Sequence, residues 1–315
     1  MKAILLNDTT RNLNHLGCFL VMQNIHDACA QHGIEILASF QDEDAYKHAD
    51  FIKIIRNADI VLINGEGTMH HDQSYAIELL KTALVCKQQG LPIILLNTVW
   101  QENVILNDYI GTFDKIYVRE SLSGEAVAAA GATCTVVPDM SFYNPEQISL
   151  TSKKPPRKLL VVDSVLPRKT RKLFIFALKN RTLLHCMRSR ILLALHPVAL
   201  LLQRYNLIPY RILTDKSFHR VTGVITGRFH AMCLSMKKGI PFHVLKSNSH
   251  KVQGVLRDAG ITHDKYIIDV DDLKTYQGHP SFTLDDQAKI ANYVAQAPQR
   301  INNMFSEIVT QFSTK

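Results

Sequence analysis

Gly227-Arg228-Phe229-His230 holds the densest chemistry in the chain. A guanidinium grips a carboxylate or phosphate through two parallel hydrogen bonds. An imidazole exchanges protons near neutral pH. The apolar run 224–226 predicts a strand that delivers this tetrapeptide to a sheet edge, and 231–238 predicts the helix that follows. A helix N-terminus then adds its own N–H groups to the cation and the imidazole. Phe229, Met232 and Leu234 are expected to face the core.

Three further stretches have the same strand-to-helix setting. Asn64-Gly65-Glu66-Gly67-Thr68-Met69-His70-His71-Asp72 follows the run 59–64. Gly65 and Gly67 permit close backbone approach and positive φ. Thr68 or Asp72 is placed to cap the next helix, and the loop's N–H groups suit an anion or a sugar hydroxyl. Glu66 is a candidate acid or base. The spacing matches neither a dinucleotide fingerprint nor a Walker loop. Adjacent histidines on one element are expected to point apart, which argues against a metal site. Arg119-Glu120-Ser121-Leu122-Ser123 ends a strand and offers Ser121 or Ser123 as an N-cap. Arg119 stands at the positive end of that helix, a placement that makes sense if an anion is recruited there. Asp139 follows the run 135–138. In Ser247-Asn248-Ser249-His250-Lys251, Ser249 is a candidate cap, and His250 and Lys251 add positive charge.

The elements that position these residues alternate along the chain. Strand-like runs at 3–7, 34–39, 59–64, 92–98, 115–119 and 135–138 interleave with helical patterns at 16–32, 51–56, 75–89 and 123–130. A polar stretch at 145–158 reads as a linker. Strands at 159–163, 224–226, 241–245 and 267–270 follow, with helices at 231–238, 252–259 and about 284–312. Continuous apolar strands between amphipathic helices predict parallel sheets covered on both faces. The expectation is an α/β protein of two Rossmann-like domains, 1–150 and 151–315, in a GT-B-like arrangement with a long C-terminal helix. Ligands of such sheets bind at the carboxyl ends of the strands.

Composition is that of a globular protein of 315 residues, with 46% hydrophobic residues. Its six cysteines lack C-x-x-C spacing and read as reduced cytosolic thiols. The first apolar run is too short for a signal peptide, which places the chain in the cytoplasm. Residues 151–220 hold sixteen Lys and Arg against Asp163 and Asp215, a local charge of +14 in a chain of total charge +8. Within 172–205, the apolar runs 173–176 and 191–202 lie among Arg181, Arg188, Arg190 and Arg204. They are shorter than the ~20 residues that span a bilayer, and Pro197 interrupts the second. An interfacial helix facing anionic lipid and a buried helix pair with solvated arginines account for this equally well. Nucleic acid is disfavoured, because aromatic residues suited to base stacking are sparse there.

Taken in order, 14–17, 64–72, 119–123, Asp139, 227–230, 231–241 and 247–251 resemble the polysaccharide pyruvyl transferase family. The resemblance implies a GT-B-like fold and phosphoenolpyruvate as donor substrate, with no cofactor and no metal. The product would be a pyruvate ketal on a sugar of a surface polysaccharide or its lipid-linked precursor. It implies that Arg228 holds donor anions, that His230 is the general acid, and that Arg119 matches the family's other anion-binding arginine. Gly65, Gly67, Thr68 and Lys251 complete the expected donor set, and Glu66 or Asp139 is the expected base. The chain departs from the family in having Glu66 where many relatives continue with glycine, and in its basic, apolar segment after Asp163. Two other classes fit the same features. One is a GT-B glycosyltransferase using a nucleotide-activated sugar. The other is a non-catalytic adaptor that binds a membrane or nucleic acid through the basic block.

Overall fold

The computed structural model describes residues 1–11, 15–144, 158–182, 184–187, 210–262 and 265–313. Its first half is a parallel sheet of β1 (Lys2–Leu6), β2 (Glu35–Phe40), β3 (Ile60–Glu66), β4 (Ile93–Thr98), β5 (Lys115–Val118) and β6 (Thr135–Val136). The strand order is β2-β1-β3-β4-β5-β6. The helices between them are α1 (Leu16–Gln31), α2 (Phe51–Ile55), α3 (Ser74–Gln88), α4 (Ile105–Asp108) and α5 (Ser121–Ala129).

Side chains alternate across each strand, so two apolar faces need two covering layers. Ile4, Leu6, Val61, Ile63, Ile93 and Leu95 pack under α2 and α3. Ala3, Leu5, Ile60, Leu62, Ile94 and Leu96 pack against α1 on the opposite face.

The second sheet repeats this plan with β7 (Lys158–Ser164), β8 (Leu184–Cys186), β9 (Tyr210–Ile212), β10 (Val221–Gly227), β11 (Phe242–Leu245) and β12 (Ile267–Ile268). Its order is β12-β11-β10-β7-β8-β9, with parallel pairing throughout. Its helices are α6 (Pro167–Lys179), α7 (Phe229–Lys237), α8 (Lys251–Asp258) and α9 (Leu284–Phe312).

The last helix ties the halves together. Thr283 caps it by accepting the Asp286 N–H. Ile290, Tyr293 and Ala297 enter the core of the second sheet. Ile301, Met304, Phe305 and Ile308 enter the core of the first. Spacings of three and four residues keep all seven on one stripe. Pro298 falls where the helix passes from one core to the other.

The α/β class, the paired parallel sheets and the long C-terminal helix agree with the sequence reading. Strands β8 and β9 and the start of α6 are additions to it. Residues 173–176 lie in α6, where Leu173, Phe176 and Ala177 cover the sheet while Ile175 and Leu178 face outward. The linker reading and the 150/151 boundary lie outside the described residues, as do the apolar run 191–202 and Arg188, Arg190 and Arg204. Among the described residues, no helix is long and apolar enough to cross a membrane.

Candidate active site

The carboxyl ends of the two sheets face each other across a cleft of about 540 Å³. Asn7 after β1, Glu66 at the end of β3 and Arg119 after β5 line it from one side. Arg228 and His230 beyond β10, with Lys251 at the start of α8, line it from the other. Residues separated by more than 220 positions are thus brought together because the strands within each sheet are parallel, so each sheet presents its carboxyl ends along a single edge.

The floor is built under backbone strain. Asn7, Glu66 and Asn97 all take left-handed conformations, with φ of 58°, 40° and 57°. Side-chain amides hold them there. Asn7 donates to the Asn64 carbonyl at 2.5 Å, and Asn97 donates to Asn64 Oδ1 at 3.2 Å. Strain of this kind persists only where surrounding contacts over-determine it. Positive φ therefore falls on Glu66 and not on the expected Gly65 or Gly67. Gly65 is needed for a different reason, since a β carbon there would stand 2.4 Å from that of Thr98. Gly67 leaves room for two cations: Arg119 Nη2 and Lys251 Nζ each lie 3.5 Å from where its β carbon would be.

Each arginine carries a built-in carboxylate. Arg228 donates from Nε to Asp163 Oδ1 at 2.9 Å and from Nη2 to Oδ2 at 2.5 Å. Arg119 donates from Nη1 to Asp139 Oδ2 at 3.0 Å, and its guanidinium stacks 4.3 Å over the Phe229 ring. Both carboxylates are fully buried behind the cleft wall, so they fix the arginines' direction. Arg119 Nε has no hydrogen-bond partner among the described residues. Phe229, Met232 and Leu234 belong to the core as expected.

His230 is buried, and its Nε2 lies 3.8 Å from Asp139 Oδ1 without a hydrogen bond. Burial pulls its pKa below the ordinary imidazole value, against the pull of Asp139 and Glu66, while Arg119 and Lys251 add to the depression. The ring sits where α1 begins: a β carbon on Gly17 would come within 2.4 Å of it. Lys251 donates to Asn248 Oδ1 at 2.9 Å. Burial first, and then Arg119, lower its ammonium to about 7. Glu66 accepts from the Thr9 hydroxyl at 2.7 Å and from the Asn64 amide at 3.2 Å, and it borders the cleft.

Several expectations need correction. Asp139 is no candidate base: it has no exposure, does not border the cleft, and both oxygens are engaged, one by Arg119 and one by the Ser141 N–H. Thr68 lines the cleft but caps nothing, because Gln73 precedes α3 without a side-chain bond. Asp72 instead accepts the N–H groups of Val104, Ile105 and Leu106 at the start of α4. His70 and His71 do not point apart; their Nδ1 atoms are 2.8 Å from each other, because the chain turns back through left-handed His71 and Asp72. Burial and the Lys251 charge push His70 down to about 4. Glu120, not Ser121 or Ser123, caps α5 by accepting the Ser123 N–H. Ser249 makes no cap bond to α8. His250 stays out of the cleft, and its Nε2 lies 3.2 Å from buried Glu120, which ties the start of α8 to the start of α5.

Sequence reasoning missed Thr9, Gln73 and Tyr75, and gave no role to His15 and Asn248 within the stretches 14–17 and 247–251; all five line the cleft. His15 caps α1 through Nδ1, which accepts the Cys18 N–H at 3.1 Å, and its ring meets that of His230 edge-on at 6.0 Å. Its place just before a predicted helix was the available signal.

Two Rossmann-like sheets facing each other across a polar cleft, bridged by a C-terminal helix, define a GT-B-like protein. The model of the polysaccharide pyruvyl transferase family matches residues 16–249, and the chain belongs to that family of transferases. No curated protein matches the sequence. Among solved structures, the UDP-GlcNAc 2-epimerase from Neisseria meningitidis bound to UDP-GlcNAc is similar in fold. Its TM-score is 0.55 at 10% identity, over 100% of both chains. The UDP-GlcNAc 2-epimerase from Methanocaldococcus jannaschii gives 0.51 at 10% identity, over 99% of this chain and 100% of that one. At such identity the likeness concerns the fold alone.

Proposed function

We propose that this transferase moves the pyruvyl group of phosphoenolpyruvate onto two hydroxyls of a cell-envelope saccharide or its lipid-linked precursor, forming a cyclic ketal. The observation that supports it best is the convergence of Arg119, Arg228, Lys251 and His230 on one cleft. Phosphoenolpyruvate carries a carboxylate and a phosphate on a three-carbon skeleton, and it calls for several fixed cations around one proton donor.

His230, once protonated, gives its proton to the methylene carbon, and C2 becomes electrophilic. An acceptor hydroxyl attacks C2 as Glu66 takes its proton. Phosphate leaves with the C2–O electron pair and receives that proton from Glu66. The second hydroxyl closes the ketal, and its proton restores His230. Asn7, Thr9, Gln73 and Tyr75 offer amide and hydroxyl groups and one ring for a sugar beside Glu66. Asp139 acts as a positioning residue for Arg119. The activity belongs at the cytoplasmic side of the membrane, where such precursors are made.

Thermal unfolding tests the donor. At a hundred times its Kd, a ligand adds about 2.7 kcal/mol of stability. Millimolar phosphoenolpyruvate is expected to raise Tm, and a panel of nucleotide sugars is not. The reverse result would instead favour a glycosyltransferase. The shift should also shrink from pH 7 to 9, because Lys251 loses its charge above about 7. The phosphate's own second ionisation lies near ~6, below that range. Lys251→Met should weaken binding at pH 7 and reduce the pH dependence to the part that protonation of His230 contributes.

Gly17→Ala is a test of His230's seat. The new methyl would overlap the His230 ring, and the imidazole must move. Displacement of ~1 Å costs on the order of 10²-fold in rate. A drop of that size in kcat, with an unchanged far-UV CD spectrum, is expected. Activity within threefold of wild type would mean that the ring's position is not critical.

A further inference from the structure

Helix α6 begins beside the cleft. It follows β7, whose Asp163 holds Arg228, and Val165 between them lines the cavity. Residues 165–181 contain six Lys and Arg and no acid. Two of these cations face inward: Lys172 pairs with Asp271 at 2.6 Å, and Lys169 donates to the Lys246 carbonyl at 2.6 Å. Arg168, Arg171, Lys179 and Arg181 have no carboxylate partner among the described residues.

The helix has a buried side and one that, among the described residues, has no partner. At 100° per residue, Arg168, Arg171, Ile175, Leu178 and Lys179 fall on one outward stripe. Ile175 and Leu178 are each 48% exposed, and Val165 and Leu166, just before the helix, are 44% and 40% exposed. A face that merely keeps a helix in water mixes both signs of charge. Here aliphatics alternate with unpaired cations. At an anionic bilayer surface, aliphatic side chains enter the headgroup boundary while long basic side chains reach back to the phosphates.

We infer that the outer face of α6 docks on an anionic membrane surface and holds the cleft mouth, at Val165, against the headgroups. The docking itself is independent of the donor. Its purpose rests on the transferase reading, because a lipid-linked acceptor would enter from that side. A 13-residue helix with two outward aliphatics, and two more just before it, gives reversible, peripheral binding.

Co-sedimentation with vesicles of phosphatidylglycerol and phosphatidylcholine, against phosphatidylcholine alone, tests this at ~0.1 M salt. Each interfacial cation contributes roughly fivefold to partitioning. The wild-type protein should bind the anionic vesicles and not the neutral ones. Arg168→Glu with Arg171→Glu, and separately Ile175→Asp with Leu178→Asp, should each lower binding at least tenfold. None of these four side chains lines the cleft, so Tm and its shift with phosphoenolpyruvate should be unchanged. Failure of the donor reading would therefore show up separately. Unaltered vesicle binding in both double variants overturns the assignment, as does no binding by wild type. A solution dimer that the variants dissolve would also overturn it, because the face would then belong to a second copy of the chain.

Discussion

His230→Gln is expected to lower kcat by roughly 10²–10⁴-fold, the usual contribution of a positioned general acid, with a much smaller change in KM for phosphoenolpyruvate. Glutamine keeps a polar group of similar reach but cannot exchange a proton. The seat around it has Gly17 on one side and Asp139 at 3.8 Å, and the substitution leaves Arg119, Arg228 and Lys251 in place to hold the donor. The pH dependence gives a sharper test. In the free protein, burial holds the imidazole below its ordinary pKa, and Arg119 and Lys251 add to that despite Asp139 and Glu66. At neutral pH the ring is therefore neutral. Phosphoenolpyruvate as donor would bring close to three negative charges into the cleft, and opposite charge favours the imidazolium. On the proposed mechanism the acid would thus be formed where its proton is used. Because kcat/KM reports the free protein and kcat the complex, the alkaline limb of kcat should lie at higher pH than that of kcat/KM. Coincident limbs, or a variant within tenfold of wild type, would remove His230 from the acid's role.

The strands are legible in the sequence because a strand covered on both faces reads as an unbroken apolar run, as in Ile60-Val61-Leu62-Ile63. Strands β8 and β9 are not legible, since three residues such as Leu184-His185-Cys186 carry no period to detect. The cleft cations are legible for a topological reason: in parallel sheets every residue just past a strand falls on the same edge, so Arg119 and Arg228 could be placed without knowing their partners. The partners themselves are hidden. Asp163 lies inside a strand pattern and meets Arg228 across 65 positions, a pairing that local spacing does not encode. Caps fail for a narrower reason. Helix starts shift by one or two residues in any sequence reading, and that shift is enough to exchange Glu120 for Ser121. His15 is missed because cap reading looks for Ser, Thr, Asp and Asn.

The pairing of buried charges explains how one small cleft can hold several cations. Three like charges this close would repel one another if left bare. Asp163 and Asp139 neutralise the two arginines from behind and leave their remaining N–H groups toward the cavity. Among the described residues, Lys251 has no such carboxylate, and Asn248 accepts from it. It is the cation whose charge is least stable before a donor arrives, and so the one that donor binding changes most.

Asp139→Ala is therefore expected to cost about 3–5 kcal/mol of stability, the penalty for stranding one member of a buried pair. That corresponds to a fall in Tm of roughly 5–8 °C. Arg119 is 1% exposed and would keep only its stacking on Phe229. The pH dependence has a definite sign. Burial alone would raise the Asp139 carboxyl, but His230, Arg119 and the Ser141 hydrogen bond outweigh it and hold the folded value low. Its contribution is present above the unfolded carboxylate value of ~3.9 and is lost as pH falls through the folded value. The gap between wild type and variant should be full at pH 7 and should narrow below about pH 4. Acetate is small enough to stand in for the missing side chain. It should restore part of the lost Tm in the variant and none in wild type. If Asp139 instead served as the base, the variant would lose activity at nearly unchanged Tm, and acetate would act on rate alone.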